Sequence, residues 1–171
     1  AYVDLQTIML SLMTVLLLRH WQASKTTSTN KAILPTAFTG VMLIGSLLLL
    51  SLSALTDDLI GMRLYPVWIN LCLLAVFAFS LYHPPTIIER FARLTEPNLS
   101  PFALAYIRKV TQVWCGFFLV NASIAFYTAY FCDLATWTWY NGVISYVAIG
   151  TLFGVEFIAR QWVKKQDPDH V

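Results

Sequence analysis

Residues 110–131 read VTQVWCGFFLVNASIAFYTAYF: twenty-two positions without one Asp, Glu, Lys or Arg, opening directly after Arg108-Lys109 and closing before Cys132-Asp133. A helix rises ~1.5 Å per residue, so a run of this length covers the ~30 Å hydrocarbon layer of a bilayer. Working outward, four more stretches have the same character, at about 2–21, 32–55, 64–82 and 138–162. The first has no basic segment ahead of it and is expected to be a retained span rather than a cleaved signal. Period-two alternation is absent, which argues against a transmembrane barrel. The expectation is a single all-α domain over 1–171, a polytopic membrane helix bundle with five transmembrane helices.

Composition agrees. Of 171 residues 58% are hydrophobic and 12% charged, where a soluble domain carries about 25% charged residues. A soluble globule of this length has too little interior to hide so much apolar surface. The net charge of +2 is too small and too dispersed for a nucleic-acid partner. Cys72, Cys115 and Cys132 stand far apart, with neither CxxC nor zinc-ligand spacing, so neither a disulfide framework nor a metal centre is expected. No cofactor is expected.

The threading follows from the loops. Lys and Arg collect on the cytoplasmic side of short connections. In the five-span arrangement ten of the eleven basic residues fall on one side, and only Arg63 falls on the other, beside Asp4, Asp57, Asp58 and Asp133. This predicts an N-terminus outside, a C-terminus in the cytoplasm, and residence in a bacterial inner membrane. Trp21, Tyr65, Trp68, Trp137, Trp139, Tyr140 and Trp162 lie near the interfaces so defined, where amphipathic rings anchor helices.

One connection carries structure of its own. His83-Pro84-Pro85 ends the third run, because proline cannot continue a helix. Thr86 and Glu89 then have capping-box spacing, with Ile87, Ile88, Phe91 and Leu94 on one face and Glu89, Arg90 and Arg93 on the other. The pattern predicts a short amphipathic helix at about 85–95, lying on the cytoplasmic membrane surface. Ser100-Pro101 restarts a helix that runs into the fourth span.

Within the membrane, polar and small residues mark contact faces. Asn70, Asn121 and Asn141 must each find a hydrogen-bond partner and are expected to join helices. Gly150 and Gly154 have GxxxG spacing, and Cys115, Ala122, Ala125 and Ala129 form a small-residue stripe. Both suit close helix packing, within the chain or as the seam of a homo-oligomer. Gly142, Ser145, Glu156 and Arg160 fall within about 40° of one direction at ~100° per residue, so the fifth helix carries a second, polar-ended face.

No nucleophile elbow, HExxH, phosphate loop or dinucleotide fingerprint is present. Glu156 is the one acid within a span, and an ionisable group there is a functional candidate by default. Arg160 at i+4 offers the competing reading of a structural ion pair. Glu156 and His83 are the only acid–base candidates. Arg90, Arg93, Arg108, Lys109 and Arg160, with Glu156 nearby, would converge in a cationic ring at the cytoplasmic interface. Such a ring suits anionic lipid headgroups, a phosphate, or an acidic carrier protein.

Several motifs are shared with a known family. These are Leu64-Tyr65-Pro66 through Asn70, Pro85-x-Ile87-Ile88-Glu89-Arg90, Arg108-Lys109-Val110-Thr111, Val113-Trp114, Phe117-Phe118, Asn121, Tyr140-Asn141-Gly142, Tyr146, and Phe153-Gly154-x-Glu156-x-x-x-Arg160. Together they resemble a family of uncharacterised bacterial inner-membrane proteins encoded among aryl-polyene biosynthesis genes, whose pathway is fatty-acid-synthase-like. The resemblance spans about 100 residues, and a looser similarity links the chain to intracellular septation protein A. It implies an accessory or scaffold subunit for making or exporting a polyene lipid, working with other membrane subunits or an acyl-carrier or synthase protein. A membrane enzyme acting on a lipid-linked intermediate is the alternative, and a transporter subunit the third reading. The resemblance carries no catalytic residue with it.

Overall fold

The computed structural model describes residues 40–42, 44–46, 48, 51 and 60–166. The chain divides into two compact units, Ala1–Gly45 and Ser46–Val171. In the first unit, the described residues between 40 and 45 are helical. The span expected at 2–21 lies outside the described residues. The span expected at 32–55 is represented only by helical residues between 40 and 51.

The second unit contains helices α1 (Ile60–Tyr82), α2 (Ile87–Thr95), α3 (Pro101–Phe131) and α4 (Leu134–Trp139). A π-helical turn at Tyr140–Ile144 joins α4 to α5 (Ser145–Gln166) without a break. Among the described residues the fold is all-α. Three helices are long and apolar enough to cross a membrane: α1, α3, and the continuous rod Leu134–Gln166. They are the third, fourth and fifth expected spans.

The observed starts differ from the apolar runs for local reasons. Helix α1, described from Ile60 onward, reaches ahead of the expected 64 and takes in Arg63. The Arg63 guanidinium is accommodated because Nη2 donates to the carbonyls of Thr128 (2.9 Å) and Cys132 (2.5 Å) at the open end of α3. Helix α3 starts at Pro101, where the Ser100 hydroxyl accepts the Ala103 amide at 3.0 Å. The last rod starts at Leu134 rather than 138, because Asp133 caps it by accepting the Thr136 amide at 3.0 Å.

Burial is distributed as lipid requires. The buried residues include Asn70, Ser80, Thr111, Asn121 and Thr128, while Leu119, Phe126, Phe131 and Trp162 face outward. In water large apolar side chains are the ones most often buried. In hydrocarbon, polar groups must bond internally and apolar ones gain nothing by hiding. Helix α1 packs most extensively against α3, whose Ala122, Ala125 and Ala129 are all buried. Small side chains there let the backbones approach.

Levels along the bundle follow from shared contacts. Arg63, Thr128, Cys132 and Trp137 meet at one end, where the Trp137 indole donates to the Arg63 carbonyl at 3.0 Å. From that level α1 extends ~28 Å to Tyr82, α3 ~40 Å to Pro101 and the last rod ~43 Å to Gln166, at ~1.5 Å per residue. Two rods therefore overshoot α1 by ~12–15 Å. Helix α2 and the connection to α3 sit beside that overshoot.

Helix α2 forms as the capping-box spacing predicts. The Glu89 amide donates to Thr86 Oγ1 (3.2 Å), and the Thr86 amide donates to Glu89 Oε2 (3.4 Å). Its first turn is docked on α1: the Ile87 amide donates to Ser80 Oγ (3.1 Å), and that hydroxyl donates to the Phe77 carbonyl (2.8 Å).

Candidate ligand-binding groove

Helix α5 has no buried residue, so it stands off from α3 along part of its length. It is tethered at its ends. At the Arg63 end, the Tyr140 hydroxyl donates to Asn121 Oδ1 (2.7 Å), and Asn141 Nδ2 lies 3.4 Å from Thr128 Oγ1 and 3.0 Å from the Trp137 carbonyl. The π turn makes this possible. The Ser145 amide bonds back to the Tyr140 carbonyl, five residues earlier, and the added residue re-aims the helix, so adjacent residues 140 and 141 both reach α3. At the other end the Tyr106 hydroxyl donates to the Glu156 carbonyl at 3.4 Å, and Lys164 pairs with Glu96.

Between the tethers lies a cavity of about 660 Å³. Phe77 of α1, Trp114 and Phe118 of α3 and Phe153 of α5 line its apolar part. These rings pack on one another, with Phe77–Phe118 centroids 5.1 Å apart in edge-to-face geometry and Trp114–Phe153 at 4.6 Å. Ile88 and Phe91 of α2 line the same space. Its polar end is formed by Tyr106, Glu156, Arg160, Glu96 and Lys164. Volume and lining fit a site that buries most of a small organic ligand, typically ~300–1,000 Å³.

The charges at the mouth are matched. Arg160 Nε and Nη2 both donate to Glu156 Oε1, at 3.0 and 2.7 Å. Lys164 and Glu96 form the second pair. The two acids and two bases lining the space cancel. The i+4 spacing of Glu156 and Arg160 foretold the first pair. Glu96 and Lys164, 68 residues apart, carry no signal along the chain. Tyr106, Trp114, Phe118 and Phe153 were equally unmarked as ligand contacts, since lipid-facing aromatics read the same way.

The other candidate residues separate into groups. Asn70 and Asn121 do join helices: Asn121 Nδ2 donates to Asn70 Oδ1 at 3.0 Å. Asn141 bonds α3 as described. At Gly150 and Gly154 no atom lies within 4 Å of where a Cβ would sit, so the described residues place no helix against that face. The uniform 100° spacing used for the second face of the last helix does not carry through the π turn containing Gly142. The face that lines the cavity is Ile149, Phe153, Glu156, Arg160 and Val163.

His83 stacks on Phe79 at 4.2 Å and its Nδ1 lies 3.3 Å from the Phe79 carbonyl. It does not line the cavity, and Glu89 is engaged by Thr86 and by Arg93 at 2.8 Å. Two of the five cations of the ring are thus in ion pairs. Arg93 and Arg160 have carboxylate partners, and Arg90 Nε donates to the Pro85 carbonyl at 3.2 Å. Arg108 and Lys109 are exposed and form no ion pair among the described residues. Nor do three His, Cys, Asp or Glu side chains converge there as a metal site would need.

Fold and site together define a helical protein of membrane type with a groove lined by aromatic rings and, at one end, by charged side chains. No family model, curated protein or solved structure matches the chain.

Proposed function

We propose that this chain is an accessory subunit of the bacterial inner membrane that holds the apolar chain of an amphiphile. The observation that carries the reading is the groove itself: aromatic along its depth and charged at its mouth, with that mouth near the level where α1 ends. An amphiphile at a bilayer interface has the same polarity profile. Seven of the eight described basic residues lie at the mouth end of the bundle and only Arg63 at the other, which supports a mouth facing the cytoplasm. Paired charges and an apolar floor suit holding a chain rather than converting it. The resemblance to proteins encoded with aryl-polyene genes suggests that the chain belongs to lipid-synthesis machinery.

The test is purification in mild detergent followed by identification of bound lipids. Ala103 lines the groove, and Ala103→Trp puts an indole into it. Amphiphile recovery is expected to fall about tenfold or more, with helix content unchanged, the scale of a lost site rather than a weakened one. Equal recovery from both proteins overturns the reading.

A second reading, recruitment of an acidic carrier or synthase protein, is favoured by the exposed Arg108 and Lys109. Charge reversal at both is expected to abolish recovery of an acyl-carrier protein without changing membrane insertion. Retained recovery removes it.

A further inference from the structure

The groove's mouth also says which head the amphiphile carries. This rests on the chain-holding reading above. Arg160 is engaged twice by Glu156 Oε1, and Lys164 is engaged by Glu96. Each cation keeps further N–H donors, but its charge is already balanced by the carboxylate beside it. An anion approaching either cation also approaches that carboxylate. The Glu156 side chain is mostly buried, 11% exposed. Its second oxygen, Oε2, accepts no hydrogen bond among the described residues and is not sealed off. It belongs to a residue lining the cavity. An ionised carboxylate oxygen is an acceptor only, so it calls for a donor on the ligand. Such a bond, with one charged partner, is stronger than a neutral one.

We propose that the groove binds an uncharged, hydroxyl-headed amphiphile and discriminates against anionic heads, with Glu156 Oε2 accepting the ligand's hydroxyl proton. The Glu156–Arg160 pair then has a use beyond stability. Arg160 holds the carboxylate in place, while the free oxygen reads the head. The Lys164–Glu96 pair stays closed above it.

The test uses the full chain in nanodiscs at neutral pH, with radiolabelled hexadecanol as probe and unlabelled hexadecanol or hexadecyl sulfate as competitor. The two differ only in the head. Hexadecanol is expected to compete about tenfold or more better than the sulfate, the scale of one hydrogen bond to a charged acceptor. In Glu156→Gln the preference is expected to collapse towards one, because the amide removes the anion and frees Arg160. Glu96→Gln, a less buried change, is expected to raise sulfate affinity severalfold by freeing Lys164. It serves as the readout where Glu156→Gln does not accumulate. Equal competition by both heads in the unmodified chain overturns the head assignment and leaves chain holding intact. Preference unchanged in Glu156→Gln, or sulfate affinity unchanged in Glu96→Gln, also overturns it. Failure of hexadecanol to bind at all removes the chain-holding reading itself.

Discussion

Asn121 shows how a single side chain can hold a membrane bundle. Its amide donates to Asn70 on α1 and its carbonyl oxygen accepts from Tyr140 in the last rod. Interhelical hydrogen bonds in lipid contribute ~0.6 kcal/mol on average and up to ~2. Asn121→Leu keeps the size and removes both bonds. It is expected to cost about 1–2 kcal/mol by steric-trap unfolding. Tyr140→Phe in the Asn121→Leu background is expected to add almost nothing, and full additivity would show the bonds do not couple. Arg63 acts at the same end of the bundle, through the last turn of α3. Arg63→Met leaves two terminal carbonyls of α3 without their donor, and about 1.5–3 kcal/mol of stability is expected to be lost in the same assay.

Asp133, in the turn between two spans, brings pH into play. Hydrogen bonds from Thr136, through its hydroxyl and its amide, with a smaller pull from Arg63, hold the Asp133 carboxyl below the usual carboxylate range. The folded value lies below the unfolded one. The stabilisation is therefore present above the unfolded value of about 4 and is lost as pH falls through the folded value. The protection factor of the Thr136 amide is expected to fall on acidification. In Asp133→Asn, which keeps a capping oxygen, that acid-dependent step should vanish.

Among the elements, α2 and the π turn contrast in how they are encoded. Helix α2 is specified locally by prolines that end its predecessor, a capping box within four residues, and an apolar face at helical spacing. Its dock is equally specific. Thr86→Ala removes the box and is expected to cost about 1 kcal/mol. Ser80→Ala removes the acceptor for the Ile87 amide. Both variants should raise hydrogen exchange at residues 87–89 while leaving α3 protected. Unchanged exchange would mean that apolar contact alone holds α2. The π turn has no such local signature. It exists because Tyr140 and Asn141 both find partners on α3, and no spacing within the last helix announces that. The same holds for the start of the rod: Asp133 and Thr136 form a cap, but a search for apolar runs passes over a capped polar turn.

For the whole molecule, the ends of the rods carry the orientation. The positive residues gather where α1 ends, where α2 lies and where α5 finishes. In a cysteine-free background, Asp133→Cys is expected to react with a membrane-impermeant thiol reagent added outside intact cells. Arg93→Cys and Lys165→Cys are expected to react only after the cells are opened. Outside labelling of either basic-end position would invert the arrangement and put the groove's mouth on the other side.

What the sequence determined by itself is what is written along one helix. It specified the membrane character, three of the spans now seen as long apolar helices, the capping box of α2, and the Glu156–Arg160 pair. Each depends on neighbours within a few turns. The groove was decided only by the tertiary structure. Phe77, Trp114, Phe118 and Phe153 have the same chemistry as the aromatics that face lipid, and Glu96 and Lys164 meet across 68 residues. In hydrocarbon both the outer surface and an internal cavity are apolar, so the boundary between them is drawn by where helices stand apart.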